Sequence, residues 1–169
     1  VKSLKRLECI NVDMNNSKFS SDNGVLYSKD YETLYSCPRA YDGELIINGN
    51  TKKITRGAFN DCNLITILDL PESIESFSYK EFSRMSGLSE IIFRKPEPVM
   101  TAMSEGNGVF LIEVSNSDVV ITVKRKQKKN YVSLVQESGE YSDIDGENVS
   151  HVDVDNMPKV KNIKTVKSF

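Results

Sequence analysis

The sequence predicts an α+β fold that is mostly β. The expected architecture is a right-handed solenoid with a parallel β ladder, short helical turns and a β-hairpin insertion. Two observations lead there. The first is a repeat: Thr51, Ile54, Phe59, Cys62, Ile65, Leu68 and Leu70 recur 23 residues later as Ile74, Phe77, Phe82, Met85, Leu88, Ile91 and Phe93. Six of these seven pairs are apolar in both copies, where an apolar content of 38% gives about one by chance. The second is the tail of each copy, Ile65-x-x-Leu68-x-Leu70 and Leu88-x-x-Ile91-x-Phe93. Alternate residues of a strand share a face, so Leu68 and Leu70 point inward together. A unit this short cannot bury its own apolar side chains and must stack on the next, gaining about 1.5–3 kcal/mol per large side chain buried.

That tail is the L-x-x-L-x-L core of a leucine-rich repeat. With Ala58-Phe59 and Cys62 inside the first copy and Pro71 opening the second, the pattern resembles the BspA-like (Treponema pallidum type) leucine-rich repeat family. Units of that family are 23 residues long and read roughly Pro-x-x-Val-x-x-Ile-x-x-x-Ala-Phe-x-x-Cys-x-x-Leu-x-x-Ile-x-Ile. The second copy departs from this at Glu81, where the family prefers Ala, and at Met85, where it prefers Cys; Met is a flexible apolar filler. Leu7-x-x-Ile10-x-Val12 matches the tail of an earlier unit. Gly24-Val25-Leu26-Tyr27-Ser28-Lys29-Asp30 resembles an insertion common in these proteins.

In chain order, residues 7–12 are expected to form the first ladder strand, followed by a hairpin insertion over 13–44 with strands near 24–28 and 33–36. Strands 45–47, 66–70 and 89–93 continue the ladder in that order. Short helical turns are expected over 58–62 and 80–85, held by Phe59 and Phe82 because they are too short to stand alone. Lys95-Pro96-Glu97-Pro98 breaks the register, since proline cannot donate to a ladder. Strands near 109–114 and 118–123 and a helical turn near 131–135 would make a cap over 94–143. The repeat domain then spans 1–143, and 144–169 is a polar, weakly packed extension.

The chain has 22 basic and 24 acidic residues, a net charge of −2, which gives no reason to expect nucleic acid. No apolar run approaches the roughly 18 residues that span a bilayer, so no membrane insertion is expected. Cys9, Cys37 and Cys62 form neither a disulfide framework nor a zinc pattern, and Cys62 is expected to be a small buried hydrophobe. The family resemblance implies a secreted or cell-surface bacterial protein.

The candidate binding site is the outward face of the ladder. One row reads Asn11, Ile46, Asp69 and Ile92; its neighbour reads Cys9, Glu44, Ile67 and Glu90. Three isoleucines beside three carboxylates would suit a protein or glycan partner. The alternative is that Ile46, Ile67 and Ile92 are covered by the C-terminal segment or buried on both faces. The run Lys124-Arg125-Lys126-Gln127-Lys128-Lys129 could hold a polyanion or be a solvated turn. The acidic stretch Asp143–Asp155 lacks the spacing of a calcium loop. His151 is the lone histidine, and no catalytic, phosphate-binding or dinucleotide motif accompanies it. The sequence therefore points to a non-enzymatic binding module with no cofactor and no metal, or to a structural spacer.

Overall fold

All fourteen positions of the two repeat copies are at most 2% exposed, from Thr51 to Phe93. The structure, a computed structural model, describes residues 4–78, 80–99, 102–104, 107–109, 112, 114, 118–124, 139–143, 148–152 and 162–166. The two copies lie in register. Phe59 and Phe82, 23 residues apart, have ring centroids 6.2 Å apart, and within the second copy Phe77 lies 5.2 Å from Phe82 and 6.2 Å from Phe93. Polar bonds follow the same offset: Ser89 N–H donates to Thr66 O (2.8 Å), and Ser86 N–H donates to Asn63 Oδ1 (3.1 Å). Thr51, the polar member of the set, is satisfied by donating its hydroxyl to Tyr31 O at 3.1 Å.

Among the described residues, thirteen strands make three sheets. The first is ordered β1 (Phe19–Asp22), β2 (Val25–Ser28), β3 (Thr33–Ser36) and β5 (Lys53–Ile54). The second runs β13 (Asn162–Val166), β10 (Val120–Lys124), β7 (Glu90–Phe93), β6 (Ile65–Leu70) and β4 (Gly43–Ile46), with every pairing parallel. The third, antiparallel throughout, is β12 (Asn148–Val152), β11 (Gly139–Asp143), β8 (Ala102–Ser104) and β9 (Asn107–Val109).

The expected α+β solenoid with helical turns is corrected. Among the described residues there is no helix, and the strands divide among three sheets. The segments 58–62 and 80–85 are successive single turns. In the first, Ala58, Asn60 and Cys62 donate to Thr55, Gly57 and Phe59; in the second, Glu81, Ser83 and Met85 donate to Ser78, Lys80 and Phe82. In the first segment Gly57 sits at φ 77° and Asp61 at φ 63°, and left-handed residues at both positions forbid a helical run. Five or six residues could not repay helix nucleation in any case. No helix among the described residues is long and apolar enough to cross a membrane.

Other boundaries also move. Residues 7–12 form no strand. Their backbone groups are used singly: Ile10 N–H donates to Gly24 O (2.8 Å), Val12 N–H to Ser21 Oγ (2.9 Å), and Leu7 O accepts from Ala40 (3.0 Å). The parallel sheet begins at β4 instead. The expected hairpin is a three-stranded meander, because Asn23-Gly24 turns β1 into β2. Both residues have positive φ, 48° and 79°, as a two-residue type I′ turn requires. Residues 112 and 114, expected in a strand, lie outside one, while the strand expected at 118–123 is β10, placed between β7 and β13. The expected helical turn near 131–135 falls outside the described residues. β12 and β13 lie within the stretch expected to be a polar extension.

One contact between the copies tolerates no side chain. A Cβ on Gly87 would lie 2.2 Å from Asn63 O, whereas one on Gly49 would meet nothing within 4 Å. Gly87→Ala should therefore destabilise by about 1–3 kcal/mol, the usual cost of forcing extra volume into a packed site. Gly49→Ala should stay within about 0.5 kcal/mol of the parent. Urea denaturation of both variants reads the difference, and equal midpoints would contradict the packing described.

Candidate functional site

The parallel sheet fixes which side chains share its outward face. Pairing aligns Glu44 with Ile67 and Glu90, then Val120. It aligns Ile46 with Asp69 and Ile92, then Thr122. The intervening Leu45, Leu68, Ile91 and Ile121 point into the core and are buried. Neighbouring strands are about 4.8 Å apart, so each row presents side chains at a fixed pitch.

Exposure along these rows is uneven. Glu44 is exposed, Ile46 is 52% exposed, and Ile67, Glu90 and Ile92 are half-buried. Asp69 is only 2% exposed. Arg94 lies across it with a bidentate grip, Nε to Oδ1 at 2.7 Å and Nη2 to Oδ2 at 2.6 Å. This pairing with Asp69 raises the Arg94 guanidinium above its ordinary pKa; partial burial opposes it, and Glu44 adds a smaller pull in the same direction. Thr122 is buried and donates its hydroxyl to Glu90. Asn11 does not join the face. It is exposed on the N-terminal segment, where its Oδ1 accepts from the Cys9 thiol at 3.3 Å. The expected rows are thus corrected at Asn11 and Cys9, because 7–12 is not a ladder strand.

Arg94 was missed although a signal existed. It follows Glu90 and Ile92 at the strand period of two, so it continues the outward row past the end of β7. It converts three carboxylates into two, since Asp69 is neutralised. The face is therefore an apolar strip of Ile46, Ile67 and Ile92 flanked by Glu44 and Glu90, with one guanidinium–carboxylate clamp across it.

A second arrangement lies at the turns. Glu81, at the position where the sequence pattern departs from its expected Ala, is 5% exposed. Its Oε2 accepts from Gly57 N–H (3.0 Å) and its Oε1 from Phe59 N–H (3.2 Å), closing the turn of the preceding copy. Burial pushes its pKa up, opposed by these backbone N–H bonds and by Arg56. Asp61 bridges two cations, Arg39 Nη2 at 3.0 Å and Arg84 Nη2 at 2.8 Å. Cys37 and Cys62 are buried thiols, and Cys62 Sγ donates toward Pro38 O at 3.5 Å. A hydrogen bond with Cys62, followed by burial, drives the Cys37 thiol well above its ordinary pKa.

Among the described residues no three His, Cys, Asp or Glu side chains gather as metal ligands. His151 falls within β12. Residues 125–129 of the basic run lie outside the described residues, as do residues 144–147 and 153–155 of the acidic stretch.

No protein-family model matches the chain, and no curated protein matches it. Among solved structures, the crystal structure of the pneumococcal vaccine antigen PcpA is similar at a TM-score of 0.37 and 16% identity. The match covers 95% of this chain and 50% of that one, so the chain spans about half the length of the solved antigen. A likeness of this degree establishes neither a shared fold nor a shared activity.

Two outcomes follow from the buried carboxylates. Arg94→Ala leaves Asp69 buried without its guanidinium and should cost about 1–3 kcal/mol, with Arg94→Lys intermediate because the planar fork is lost. Thermal denaturation of both variants checks this order. For Glu81 the folded-state pKa lies above the unfolded one, so its contribution is full below the unfolded value and fades as pH rises through the folded value. The stability advantage of the parent over Glu81→Gln should be largest below about pH 4, the unfolded value, and shrink as pH rises through the raised folded-state value. A gap that widens with pH would contradict the assignment.

Proposed function

We propose that the chain is a non-enzymatic binding module of a secreted or surface-displayed protein, recognising a protein or glycan through the outward face of its parallel sheet. The observation that carries this reading is Ile46, an apolar side chain left 52% exposed in a row with Ile92 and beside Ile67. Large apolar side chains held at a fixed pitch and rimmed by carboxylates form a surface that gains by being covered. The rigid backbone of the sheet lowers the entropy lost on association. The resemblance of the sequence to BspA-like repeats supports a surface location and an adhesive role by analogy, since fold does not determine function. The reading assigns no catalytic step to the chain.

The test is a binding screen of the isolated chain against host-surface proteins and glycans, repeated with Ile46→Lys and Ile67→Lys. Both substitutions sit on the outer face and should leave the melting temperature within a few degrees, about 1 kcal/mol. Binding of any partner found should fall at least tenfold, about 1.4 kcal/mol. Variants that unfold, or that bind as the parent does, would contradict the assignment of this face.

A further inference from the structure

Cys37 and Cys62 stand 25 residues apart in sequence, and the fold brings their side chains together. Cys37 directly follows β3, and its N–H donates to Ala58 O at 2.8 Å. Cys62 closes the turn that follows Ala58, its N–H donating to Phe59 O at 3.1 Å. That turn aims its sulfur back at the end of the meander. Cys62 Sγ lies 3.7 Å from Cys37 O and 3.5 Å from Pro38 O. The two thiols also hydrogen-bond to each other. Both residues are at most 3% exposed. Cys9 stands apart from this pair: it is exposed, lies against Gly24 and donates its thiol to Asn11 Oδ1 at 3.3 Å.

Two thiols in contact, on backbone segments that are themselves hydrogen-bonded, are within reach of a disulfide. We infer that Cys37 and Cys62 form this bond when the chain folds in an oxidising compartment, with an external disulfide such as oxidised glutathione as the oxidant. One protein thiolate attacks the oxidant, giving a mixed disulfide and releasing a first small thiol. The second protein thiolate attacks the protein sulfur of that mixed disulfide. The Cys37–Cys62 bond forms, the second small thiol leaves, and the two electrons and two protons end on the released thiols. The bond ties the meander to the first repeat copy and closes a loop of about 25 residues, which restricts the unfolded chain. Burial sets the timing. In the folded, reduced chain the bond with Cys62, and then burial, hold the Cys37 thiol protonated and therefore a poor nucleophile. Oxidation belongs to the folding chain, before the core closes over both sulfurs. The pair shares no residue with the sheet face, so either proposal can fail without the other.

Refolding the whole chain from urea in a buffer of reduced and oxidised glutathione tests it, followed by alkylation in denaturant, intact-mass measurement and peptide mapping. Most molecules should carry a link between the peptides of Cys37 and Cys62, with Cys9 alkylated. Cys9→Ser should form the same link. The linked chain should melt roughly 5–10 °C above the same chain refolded under a reducing agent. A refolded chain in which all three cysteines are alkylated overturns the inference. So does a link that uses Cys9, or a Cys37–Cys62 link that lowers the melting temperature.

Discussion

The structure depends on one constraint: neither copy of the 23-residue pattern can hide its apolar side chains without the other. Across the copies Phe59 is covered by Phe82, and within the second copy Phe77 packs against both Phe82 and Phe93. The same register then dictates everything polar. Once Leu68 is opposite Ile91, Ile67 must face Glu90 and Asp69 must face Ile92. A slip of one residue would turn the buried leucines outward and the carboxylates inward, so the hydrophobic pattern enforces the register. The outward face and its composition are consequences of that packing.

What was legible in the sequence follows from the same physics. Inward positions recur at a fixed offset and are apolar, so they show in one dimension; those of the two full copies are all buried, whereas Leu7, Ile10 and Val12 are only half-buried. The two outward rows were readable from alternation once the inward residues were placed. The helical turns were not. An Ala-Phe-x-x-Cys spacing fits a helix face and a series of tight turns equally, and the choice was made by Gly57 and Asp61 in left-handed conformations. Gly57 hinted at this, and Asp61 gave no warning. Residues 7–12 carry the same spacing as a ladder strand, yet their backbone groups bond to Gly24, Ser21 and Ala40. Spacing alone does not report which neighbour a strand-like segment will find. Asn23-Gly24, by contrast, was an available hairpin signal, and its omission hid β1.

The candidate sites were legible to different degrees. Ile46, Ile67, Ile92, Glu44 and Glu90 could be placed on one face from period alone. The clamp of Arg94 on Asp69 needs a side chain to reach back across a strand, which periodicity does not encode. Glu81 illustrates the reverse case: its departure from the repeat pattern marks a carboxylate that closes a turn in the copy before it.

The most direct test of the central claim is a double-mutant cycle on Phe59→Leu and Phe82→Leu, read by equilibrium denaturation. If the copies stack in register, each single variant should lower stability. The pair should then depart from additivity by about 0.5–1.5 kcal/mol, because the two rings share one contact. Additivity within about 0.3 kcal/mol would show that the rings do not meet, and the in-register core would be wrong.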